Sequence, residues 1–118
     1  MTAGLNFMDI LKLIAALATI ATGLFSMIKP RAVQDFTGLS LPAPRGVTEI
    51  RAVLGGLFIA LGAAPLIYQS RDMFLMLGLA YLAVALVRAV SIVMDRSFVQ
   101  SNFISLITEI VLGIILVV

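Results

Sequence analysis

Four apolar stretches, at about 5–28, 47–68, 73–94 and 99–118, take up nearly all of a 118-residue chain. Each reaches about 20 residues, the length an α-helix needs to cross a hydrocarbon core of about 30 Å. Inside lipid every backbone polar group must be satisfied by the segment itself, so such stretches become helices rather than an open sheet. The second and third connections are a few residues long, which makes consecutive spans antiparallel neighbours. The expected fold is all-α: an integral membrane antiparallel four-helix bundle, one transmembrane domain over residues 1–118, with a short interfacial segment between helices 1 and 2.

Composition agrees and narrows the chemistry. The chain is 62% hydrophobic and 12% charged, against about 45–50% and about 25% for soluble proteins. Cysteine and histidine are both absent, which removes disulfides, thiolate or imidazole metal sites and Cys or His nucleophiles. No metal site and no cofactor is expected. The net charge of +2 comes from basic residues scattered along the chain, with no patch able to track phosphates, so nucleic acid is not an expected partner.

The first span opens with Asp9 and Lys12, one turn apart and able to pair on one helix face. A secretory signal would place positive charge first; here the acid precedes the base and the apolar run is long, so a retained helix is expected. Thr19, Thr22, Gly23 and Ser26 continue a small, weakly polar stripe suited to helix contact. Between Lys29 and Gly46, a short helix is expected with Pro30 in its first turn and Gly38 just past its end. Val33, Phe36, Leu39 and Leu41 would meet apolar surface while Lys29, Arg31 and Arg45 meet anionic headgroups, so the segment should lie flat at the interface. Pro44 is placed to start the second span. Lys29, Arg31, Arg45 and Arg96 outnumber the basic residues of the opposite side, which puts both termini outside.

Glu49 to Gly62 combines charge with close-packing residues. Glu49 and Arg51 enter a membrane helix and should turn toward protein or water. Ala52, Gly56, Ala60 and Ala64 recur every fourth residue and offer a seam for helix packing, to which Gly55, Gly62 and, in the last span, Gly113 add room for close approach. Antiparallel threading would bring Glu49, Arg51, Arg88, Asp95 and Glu109 to one side of the bundle. At about 1.5 Å per residue the depths of Arg51, Arg88 and Glu109 overlap, with Asp95 nearer the mouth. Glu49 and Arg51 stand about 200° apart on their helix, so the expected pair is Glu109 with either Arg51 or Arg88. Such a cluster either fixes helix order and register or binds a polar group, fixed guanidinium groups being suited to anionic and carbonyl oxygens.

The segments Glu-Ile-Arg-Ala-Val-Leu-Gly-Gly-Leu-Phe-Ile-Ala-Leu-Gly (49–62), Arg-Ala-Val-Ser-Ile-Val-Met-Asp (88–95) and Thr-Glu-Ile-Val-Leu-Gly (108–113) together resemble a bacterial family of small four-helix membrane proteins of unknown function, akin to the DoxX-like superfamily. The resemblance covers nearly the whole chain and makes Glu49, Arg51, Gly55, Gly56, Arg88, Asp95 and Glu109 its signature positions. It brings no established activity. Arg96 departs from the pattern, which expects glycine after the aspartate.

Two functional classes follow. The first is a module that binds or moves a small amphipathic molecule such as a lipid, quinone or isoprenoid at the Glu/Arg cluster. The second is an accessory subunit that packs against a larger membrane complex, with the cluster purely structural. An enzyme is the least supported class, because Glu49, Asp95 and Glu109 are the available acids and bases and none has a nucleophile beside it in sequence. No catalytic residue is assigned.

Overall fold

A computed structural model describes residues 4–118. Met1, Thr2 and Ala3, the first residues of the domain expected over 1–118, lie outside the described residues. The protein is all-helical, with α1 Phe7–Ile28, α2 Pro30–Thr37, α3 Pro44–Tyr68, α4 Arg71–Met94 and α5 Gln100–Val117. All but α2 are long and apolar enough to cross a membrane. Only 17% to 28% of the most apolar window of each is buried within the protein. So much uncovered apolar surface needs a nonaqueous surrounding or further protein to cover it.

The described chain forms two compact units, one of residues 16–69 and one of residues 4–15 with 70–118. In the first, α1 and α3 run antiparallel and touch backbone to backbone: a Cβ on Gly62 would lie 2.6 Å from the Ala16 carbonyl oxygen, and one on Gly23 2.6 Å from that of Gly55. The contact line on α3 is thus Gly55 and Gly62, both buried. Ala52 and Ala60 are exposed, and nothing lies within 4 Å of where a Cβ on Gly56 would be. The 55/62 pair faces α1, and positions 52, 56 and 60 lie off that line.

Residues Ile50–Leu57 of α3 are wound as a π-helix, with hydrogen bonds from residue i to i+5, a geometry rare in helices and frequent at functional sites. Ahead of it, α2 forms as its sequence dictates: Pro30 occupies N1, Gly38 ends it in the left-handed region at φ 78°, and its N–H donates to the Gln34 carbonyl. Pro30 and Val33 are buried while Arg31, Asp35 and Phe36 are exposed.

In the second unit α1 starts on a capping box. The Asp9 N–H donates to Asn6 Oδ1 at 2.8 Å, and the Asn6 N–H donates to Asp9 Oδ2 at 3.2 Å, satisfying two donors at the helix start. Asp9, expected to pair with Lys12, is committed to this cap, and among the described residues Lys12 has no ion pair. Helices α4 and α5 pack antiparallel, with the Gly78 position against Leu116 and Gly113 against Leu82. Phe74, Leu77 and Leu116 are buried between their neighbours.

Candidate functional site

The site grows from the end of α4 and the start of α5. A Schellman turn closes α4: the Ser97 N–H donates to the Ile92 carbonyl at 3.0 Å and the Arg96 N–H to that of Val93 at 3.4 Å. The motif calls for a left-handed residue at its centre, and Arg96 fills that place at φ 53°. The sequence resemblance expects glycine here, and the backbone shows why: an L side chain in this region costs about 1–2 kcal/mol. The turn swings the chain into α5 and sets Asn102, in its first turn, beside α4.

Arg88 lies two turns before the end of α4. Its guanidinium meets Glu109 of α5 in a paired fork, Nε donating to Oε1 and Nη2 to Oε2, each at 2.8 Å. Nη1 donates to Asn102 Oδ1 at 3.0 Å, and Asn102 Nδ2 in turn donates to the Ser97 carbonyl at 3.0 Å. Thus the ion pair is tied to the turn itself. Glu109 is 9% exposed, and both its oxygens are engaged by one planar partner, the strongest common geometry for a carboxylate. Of the five N–H donors of a guanidinium, three are used in these bonds; the side chain remains 30% exposed.

Beside this pair runs an open-sided groove of about 580 Å³, within the usual size of small-molecule sites. Its α4 wall is a stripe that includes Val84, Val87, Arg88, Ser91 and Asp95, and Ser97 and Asn102 line it at the turn, beside Asp95. Asp95 is exposed at the mouth. Among the described residues its carboxylate has no ion pair. Phe98 and Phe103 stack near the turn with ring centroids 6.5 Å apart.

The structure therefore joins Arg88 with Glu109 and lines one groove with Arg88 and Asp95. Glu49 and Arg51 belong to the other compact unit. Glu49 pairs with Arg45 one turn earlier at 3.4 Å, both side chains being exposed, and such a pair contributes about 0–1 kcal/mol. Arg51 is exposed on the π-helical segment and makes no ion pair among the described residues. Sequence reasoning missed Asn102 and Ser97. Asn102 carries a readable signal, lying seven residues before Glu109 and hence on the same helix face.

Four span-length apolar helices, with an arginine–glutamate pair held inside one of the helix pairs, define a multi-pass helical membrane protein. The chain belongs to the family described as Domain of unknown function (DUF4345), which it matches over residues 7–118. No curated protein and no solved structure gives a significant match.

Proposed function

We propose that the protein binds or moves a small amphipathic molecule, a lipid, quinone or isoprenoid, in the groove between the ends of α4 and α5. The observation that carries this reading is the exposed part of Arg88 in that groove. A guanidinium held by Glu109 and Asn102 is neutralised and fixed in direction, yet it keeps spare donors in a cavity whose other walls are largely apolar. That combination selects a ligand with an oxygen acceptor next to a hydrocarbon portion. The wider setting of this reading is an antiparallel four-helix bundle in a bacterial inner membrane, related to DoxX-like proteins, with both termini outside.

Native mass spectrometry after gentle detergent extraction tests it. Wild type should retain an amphipathic species, and Ser91→Trp, which fills the groove, should lose it. An adduct-free wild type would count against the reading.

One observation favours a second reading, the accessory subunit. The face carrying Ala52, Gly56 and Ala60 stands uncovered, and small residues of this kind let a partner helix approach closely. Gly56→Leu should leave the isolated protein folded and abolish co-purification of a larger membrane complex; unchanged co-purification would remove the support for this reading.

A further inference from the structure

The order of polar groups along the groove narrows the ligand, on the reading that the groove binds an amphipath at all. Arg88, Ser91 and Asp95 follow one another along α4 at steps of three and four residues, so they line one face from depth to mouth. Arg88 and Asp95 are seven residues apart, about 10 Å along the axis. Val84 and Val87 extend the stripe beyond Arg88, away from the mouth, and both are exposed to whatever surrounds the helix.

Read from the inner end outward, the wall presents hydrocarbon, then hydrogen-bond donors, then an unpaired carboxylate at the helix end. A matching ligand carries an apolar chain, then an acceptor oxygen, then a cationic donor about 10 Å further toward the water. We propose that the occupant is an aminophospholipid, its acyl chain beside Val84 and Val87, an ester carbonyl oxygen at Arg88, and its primary ammonium at Asp95.

A quaternary choline headgroup carries the same charge but has no N–H to donate, so Asp95 distinguishes the two by hydrogen bonding. A quinone or isoprenoid alcohol leaves Asp95 without a cation. An anionic headgroup such as phosphatidylglycerol meets the carboxylate with like charge nearby, which is unfavourable.

The test is a competition in detergent micelles doped with equal amounts of phosphatidylethanolamine, phosphatidylcholine and phosphatidylglycerol of identical acyl chains, read by native mass spectrometry. Wild type should favour the ethanolamine lipid over the choline lipid about fivefold, the scale of one net hydrogen bond. Asp95→Ala, which removes both the charge and the acceptor oxygens, should lower ethanolamine-lipid occupancy to that of the choline lipid, Asp95→Glu should retain the preference, and Asp72→Asn, an exposed acid outside the groove, should leave it as in wild type. Lipid bound by wild type without headgroup preference, or a preference that survives Asp95→Ala, overturns the aminophospholipid assignment and leaves the groove reading standing. Absence of any bound lipid in wild type overturns both.

Discussion

Replacing Glu109 by glutamine probes the ion pair more sharply than any other single change. Both Glu109 oxygens accept from Arg88 at 2.8 Å, so in the variant one of the two contacts becomes an amide N–H₂ facing a guanidinium N–H, donor against donor. The arginine also loses its counter-charge while largely enclosed. Removing one member of a buried pair costs about 3–5 kcal/mol; because the Arg88 side chain is 30% exposed, the lower end, about 3 kcal/mol, is expected. At a few degrees per kcal/mol for a chain of this size, melting in detergent should fall by about 10 °C. Asp95→Asn removes an exposed carboxylate without a partner and should shift stability by about 0.5 kcal/mol or less. Arg88→Met with Glu109→Met exchanges the pair for apolar groups of similar length and should recover most of the loss, since such replacements are often neutral. Equal shifts for Glu109→Gln and Asp95→Asn would refute the argument, because they would mean that enclosure does not govern the cost.

Other changes test the packing and the turn. Gly62→Ala places a Cβ 2.6 Å from the Ala16 carbonyl oxygen and should destabilise by about 1–3 kcal/mol, whereas Gly56→Ala meets open space and should leave thermal melting unchanged or slightly raised. Arg96→Gly relieves a left-handed L residue at φ 53°; set against the greater freedom of glycine in the unfolded chain, the net gain should be about 0.5–1 kcal/mol, seen as a higher melting temperature. Asn102→Ala removes the acceptor at Arg88 Nη1 and the tie to the Ser97 carbonyl, and should cost about 1–3 kcal/mol.

Helix identity was legible because length and hydropathy alone decide it for a membrane span. The ends of α2 were legible too, since Pro30 and Gly38 act through fixed dihedral angles whatever surrounds them. Depth counting from the helix ends gave Arg88 as one of two candidate partners for Glu109, and the structure selects it. The π-helical winding of Ile50–Leu57 was not legible: a change from i+4 to i+5 bonding leaves no compositional mark in Ile-Arg-Ala-Val-Leu-Gly-Gly-Leu. Nor was the contact line of α3, because glycines and alanines populate several faces there and only the approach of α1 distinguishes Gly55 and Gly62 from Gly56. Glu49 found its partner four residues away in Arg45, a short-range option open to any exposed helical pair. Asp9 likewise took the nearer backbone cap over Lys12.

Where a bound lipid sits is the most direct test of the groove. A phospholipid carrying a photoactivatable diazirine in its acyl chain, incorporated into nanodiscs with the wild-type protein, can be cross-linked and its adducts mapped by peptide mass spectrometry. The account predicts adducts concentrated on residues 83–91 of α4, reduced by Ser91→Trp. Adducts spread evenly over the exposed apolar faces of α1, α3, α4 and α5, and unaffected by that substitution, would contradict it.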